Sequence, residues 1–109
     1  MLRDNITTTY PAKTSVTVSG SAQTVDSFSK LLATACHWDY VAQNGDNMRT
    51  GYVHANWNSS DEVAKSERAT NDLNDTSDLA FAVVISGGNV ILQSTTSNSW
   101  TITFTRKLL

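Results

Sequence analysis

The chain has 109 residues, a formal charge of −2 and only 17% charged residues, which leaves room for one domain with a modest core and none for a second. Its eight Lys and Arg residues are scattered, so no basic stripe is available to neutralise phosphates, and direct nucleic-acid binding is disfavoured. No stretch approaches the roughly 20 apolar residues of a membrane-spanning helix. Met1-Leu2-Arg3-Asp4-Asn5 carries no hydrophobic signal core, which predicts synthesis in a cytoplasm without export by the general secretory route.

In chain order, residues 1–13 show no sustained period, and Pro11 interrupts any ladder there. They read as an extended arm ahead of a single domain over residues 14–109. Ser15-Val16-Thr17-Val18 alternates cleanly, Ser19-Gly20-Ser21 is expected to turn the chain, and Thr24-Val25-Asp26-Ser27-Phe28 opens a second strand. Residues 29–35 fit either one helical turn, too short to stand alone, or a connecting loop.

From Cys36 the pattern is firm. Cys36, Trp38, Tyr40 and Ala42 share one face, and His37, Asp39, Val41 and Gln43 the other. Asn44-Gly45 is a type I′ hairpin signal, because Asn and Gly best tolerate positive φ. The return strand over residues 48–57 places Val53, Ala55 and Trp57 toward a core and Tyr52, His54 and Asn56 toward water. Asn58-Ser59-Ser60-Asp61 turns, residues 62–69 read as a short charged edge strand, and residues 71–78 read as a polar loop. The remainder spells three strands: Leu79-Ala80-Phe81-Ala82-Val83-Val84-Ile85, Val90-Ile91-Leu92 and Trp100-Thr101-Ile102-Thr103-Phe104-Thr105-Arg106. Ser86-Gly87-Gly88-Asn89 and a Ser/Thr/Asn turn separate them. About seven or eight strands at regular spacing predict an all-β fold, an antiparallel sandwich or jelly roll.

Chemistry is sparse by comparison. Pairing about Asn44-Gly45 places His37 opposite a residue near 52 and not opposite His54, the other histidine. No Cys or His spacing of metal-site type exists, so neither a metal nor a cofactor is expected. His37 and Asp39 share a face in the manner of an acid/base pair, but alternation on a solvated face produces such pairs by default. No Gly-x-Ser-x-Gly elbow or Ser/His/Asp arrangement marks a nucleophile. Ser86-Gly87-Gly88-Asn89 lacks the following helix and Lys of a phosphate cradle and reads as a two-residue turn. Cys36, the single cysteine, reads as a buried small thiol with no cationic cluster to activate it. Trp38, Trp57 and Trp100 are either a sugar-stacking platform or core filling, and core is expected for at least two of them.

The run Asp39-Tyr40-Val41-Ala42-Gln43-Asn44-Gly45-Asp46-Asn47-Met48-Arg49-Thr50-Gly51-Tyr52-Val53, followed by Trp57, resembles a recurrent module of tailed-bacteriophage structural proteins. So do Thr70-Asn71-Asp72, Thr76-Ser77-Asp78-Leu79-Ala80-Phe81, Ile85-Ser86-Gly87-Gly88-Asn89-Val90, and Trp100 with Arg106. Thr24-Val25-Asp26-Ser27-Phe28 is similar to the strand that opens the module. The resemblance covers about residues 24–109 and contains no catalytic motif. It implies a β-sandwich of the kind found at or near the C-terminus of phage fibre, neck and other virion proteins. With almost nothing ahead of the module, the expectation is a non-enzymatic virion component: a capsid decoration or cement protein, or a small head or tail appendage. Its partners would be other virion proteins, the major capsid protein or a tail or neck component, and further copies of itself as a dimer or trimer. The arm, with Ile6, Tyr10 and Pro11, would order against a neighbour. The alternative is a receptor-attachment module that binds a glycan through Tyr52, His54 and Asn56 or an exposed tryptophan.

Overall fold

The structure, a computed structural model, describes residues 12–109, apart from the side chain of Thr70. The expectations placed on Ile6, Tyr10 and Pro11 lie outside the described residues. Six strands are described: β1 (Thr14–Ser29), β2 (Ala35–Asn44), β3 (Asn47–Trp57), β4 (Val63–Leu73), β5 (Ala80–Ser86) and β6 (Asn89–Leu108). A single 3₁₀ turn at Lys30–Leu32 follows β1, with the Ser29 hydroxyl accepting from the Leu31 amide.

Every strand pair is antiparallel, in the order β1-β6-β2-β3-β4 with β5 also on β6. The long strands β1 and β6 run side by side and belong to two layers. Their outer parts pair from Thr14↔Phe104 to Val18↔Trp100, within the large layer that also holds β2, β3 and β4. Their inner parts pair from Gln23↔Ser94 to Ser29↔Asn89 and form the small layer with β5. Phe28 of the small layer lies 6.2 Å from Trp38 and 5.8 Å from Trp57 of the large one, and Phe81 lies 4.7 Å from Tyr40. These are contact distances for tilted ring pairs, and they close a β-sandwich.

Two expected turns are corners instead. The Ser19-Gly20-Ser21 segment and the Ser/Thr/Asn segment after Leu92 lie within continuous strands, which reduces the count to six described strands. Three register shifts between Val18 and Asp26 absorb the bend, with positive φ at Gly20 (100°) and Ala22 (52°). Extra residues in one strand increase twist and redirect it without ending its pairing. Both strands bend at matching places, so the ribbon passes from one layer to the other intact.

The hairpin between β2 and β3 also differs. Asn44 pairs with Asn47, leaving Gly45 and Asp46 as the turn, and only Gly45 has positive φ (60°). That is the type II′ pattern, with glycine first, in place of Asn-Gly type I′. Every pair shifts accordingly, and His37 stands directly opposite His54, contrary to expectation. The turn at Gly87-Gly88 has positive φ at both positions (58° and 82°), as the two-residue reading requires. β4 runs to Leu73, through the start of the expected loop, because Asn71, Asp72 and Leu73 resume pairing with Thr50, Arg49 and Met48 beyond a bulge.

The core follows the alternation. Cys36, Trp38, Tyr40, Ala42, Val53, Ala55 and Trp57 from β2 and β3 meet Val25, Phe28, Phe81, Val90 and Leu92 from the small layer. All three tryptophans are buried, Trp38 and Trp100 fully.

Candidate interaction surfaces

Three polar clusters hold the layers together. In the first, Asp26 of β1 accepts from Trp38 Nε1 at 2.9 Å and from Arg106 at 3.0 Å, while the Arg106 guanidinium lies 5.0 Å from the centre of the Phe28 ring. The tryptophan is fully buried, so its N–H needs this acceptor. Cys36 lies in the same interior. Burial foremost, and the nearby Asp26 charge, push its thiol up to about 12 against the opposing charge of Arg106.

The second cluster centres on Arg49 of β3. Its guanidinium donates to Asp72 Oδ1 (3.1 Å), to the Leu79 carbonyl (2.9 Å) and to the carbonyl and hydroxyl of Thr76 (2.8 and 3.1 Å). A planar fork of donors suits this task, since one side chain reaches a carboxylate, two carbonyls and a hydroxyl at once. The contacts fix the connection over residues 74–79, which carries the chain from β4 to the other layer. Burial pushes the Tyr40 phenol up to about 12, against the charge of Arg49.

Asp78 forms the third. One carboxylate oxygen accepts from the amides of Ser97 (3.2 Å) and Asn98 (3.1 Å) and from Trp100 Nε1 (3.1 Å). It thereby caps the corner of β6. Burial works against the ionised form, but these donors outweigh it and hold the carboxyl below its ordinary value.

The outward face of the large layer is polar and rich in hydroxyls. Ser15 and Thr103 hydroxyls lie 2.8 Å apart across β1 and β6. On β2 and β3, Tyr52, His54 and Asn56 do lie on this outward side, with His54 and Asn56 exposed. The altered register brings His37 between them: its ring stacks on Tyr52 at 5.0 Å and lies 5.6 Å from His54, and its Nε2 is 3.1 Å from Asp39 Oδ1. The expected register already set His37 beside Tyr52; its approach to His54 was missed because the hairpin turn was placed one residue early. The surface is a sheet face without a deep cleft; a depression of about 260 Å³ beside it is lined by Lys13, Asp39, Val41 and Thr103 among others. Among the described residues, no three His, Cys, Asp or Glu side chains are grouped to hold a metal ion. Among the described residues, no helix is long and apolar enough to cross a membrane.

The outward face of the small layer differs in kind. β5 contributes Ala82 and Val84, β6 contributes Ile91, Gln93 and Thr95, and β1 contributes Thr24 and Ser27, in register across the three strands. None of these side chains is charged. Elsewhere, Leu31 (87% exposed) and Leu32 (64%) stand exposed on the 3₁₀ turn.

No family model matches the chain, and no curated protein matches it. Among solved structures, it is similar to the tailspike protein of Acinetobacter baumannii phage AM24, with a TM-score of 0.42 and 11% identity. That alignment covers 85% of this chain and 25% of the tailspike chain, so the chain spans about a quarter of its length.

Proposed function

We propose that the chain is a non-enzymatic structural protein of a bacteriophage virion, a capsid decoration protein or a small head or tail appendage, which works through repeated protein–protein contacts. The observation that carries this reading is where the phage-like residues are spent. Asp26, Arg49, Asp78, Trp100 and Arg106 all belong to the resemblance, and all are engaged in internal hydrogen bonds that lock one layer to the other. These residues build a rigid frame, and what the module offers outward is sheet faces and edges. Individually weak contacts from such faces add through effective concentration when many copies sit on one particle.

The direct test mixes the purified chain with capsids and tails stripped of it and follows binding by mass photometry and negative-stain imaging. Regular decoration of heads or a defined position on tails is expected. Failure to bind either, with binding to host cells instead, overturns the reading. In that event the second reading applies: a glycan held on the outward face, where the Tyr52–His37 stack beside His54 and Asn56 offers a flat aromatic surface with polar groups next to it. The buried tryptophans contribute nothing to such a site.

A further inference from the structure

The outer edges of this sandwich are not equivalent. β4 carries Lys65, Glu67, Arg68 and Asp72 along its length, and its ladder is broken by a bulge. β1 is irregular, with three register shifts. Charges and bulges are the devices that protect an edge from pairing with another chain. β5 carries neither of its own: Ala80-Phe81-Ala82-Val83-Val84-Ile85-Ser86 is uncharged, contains no proline, and pairs with β6 without a register shift, and the charge that reaches its edge comes from Lys65 of β4.

The parity of this edge follows from its hairpin. The two-residue turn closes on Ser86 and Asn89, so Ser86, Val84 and Ala82 address β6, and Phe81, Val83 and Ile85 direct their N–H and C=O groups the other way. A side-chain contact to this row agrees: Lys65 Nζ donates to the Phe81 carbonyl at 3.1 Å. A carbonyl has two lone pairs and can accept a second donor.

We infer that β5 pairs antiparallel with β5 of a second copy about a two-fold axis at Val83, joining the two small layers into one continuous sheet. The edge is self-complementary. Val83 meets Val83 of the second copy, and Phe81 meets its Ile85, which provides up to about six main-chain hydrogen bonds. Ala82 and Val84 become cross-strand neighbours on the outward face, where no charge has to be desolvated. A short edge contact buries little area, so the dimer is weak and depends on concentration. The inference rests on the assembly reading above for its role, but it is tested in solution without any virion.

Sedimentation velocity from about 1 μM to about 500 μM is expected to show conversion to twice the 11.9 kDa of one chain, and Val83→Pro is expected to abolish it. Proline there removes an N–H that β6 does not use, but its ring blocks an incoming strand. Because Val83→Pro can also disturb folding, register is read separately with Ala82→Cys and Val84→Cys on the outward face. An equimolar mixture of the two variants should form a disulfide-linked dimer on oxidation, since opposed residues of a non-hydrogen-bonded pair lie about 4.5 Å apart. Each variant alone should not, because its own thiols would sit about 8 Å apart, beyond disulfide reach. A chain that stays monomeric at every concentration overturns the inference. So does cross-linking as readily within one variant as in the mixture, or an oligomer that survives Val83→Pro and is lost when residues 1–11 are removed. A dimer that forms as described but binds no phage particle sinks the proposed function and leaves this contact standing.

Discussion

Gly51→Ala should be among the most damaging single-methyl changes available in this chain. Gly51 lies in β3, where its φ is not of the left-handed kind, so the glycine is present for space. A Cβ there would lie 2.2 Å from the Arg68 carbonyl oxygen, 2.9 Å from Ala69 Cα and 3.0 Å from the Tyr40 hydroxyl. The first two are backbone atoms of β4 at the bulge between Thr50 and Gly51, so no rotamer change relieves them, and the strands must separate by more than an ångström. Overpacking of this kind costs about 1–3 kcal/mol, and the ladder bonds lost with it add about 1 kcal/mol each. A total of about 3–5 kcal/mol is at least about a fifth of the roughly 5–15 kcal/mol that holds a domain of this size folded. Urea unfolding should therefore show a midpoint shift at unchanged slope, with the melting temperature lower by about 15 °C. Combining Gly51→Ala with Tyr40→Phe should restore nothing, because the hydroxyl is the mildest of the three contacts. A Gly51→Ala protein within about 1 kcal/mol of wild type, or rescue by Tyr40→Phe, would refute the placement of β4 on which this reasoning depends.

Asp78→Asn should cost about 1–3 kcal/mol by weakening the charge-assisted bonds that cap the β6 corner. It should also flatten the acid limb of the stability profile. The folded carboxyl of Asp78 titrates below its unfolded value, so its contribution is present above about pH 4 and is lost as pH falls through the folded pKa; chemical unfolding between about pH 2 and pH 6 reads the difference. Asp26→Ala strands the buried Trp38 N–H and leaves Arg106 unpaired, and an equilibrium unfolding loss of about 3 kcal/mol is expected, with a red shift of tryptophan emission if the corner opens. Cys36 should resist a thiol reagent in the native protein at pH 8 and react fully in denaturant, because burial pushes its thiol up to about 12; rapid native labelling would mean that the β2–β6 interior is open.

The alternation of residues along β2 and β3 was sufficient to assign core and water-facing sides, because side chains in a strand point to opposite faces by geometry alone. Cys36, Trp38, Tyr40, Val53 and Trp57 lie inside as their periodicity requires, and Tyr52, His54 and Asn56 lie outside. The Gly87-Gly88 turn was equally legible, since few other residues accept its two positive φ values. Gly20 and the Ser/Thr/Asn segment were not, because a corner and a reversal use the same small, polar residues. Which one forms depends on whether the partner strand bends alongside, and that is a property of the β1–β6 pair rather than of either segment. The register of His37 against His54 turned on a choice between two turns one residue apart, and because both registers leave the same residues on each face, the alternation could not distinguish them. The roles of Asp26, Arg49 and Asp78 were equally hidden: their partners lie 12 to 80 residues away in sequence. Local patterning thus determined the strands and their faces, while long-range pairing decided the layers, the framework that joins them, and which strands lie at the edges.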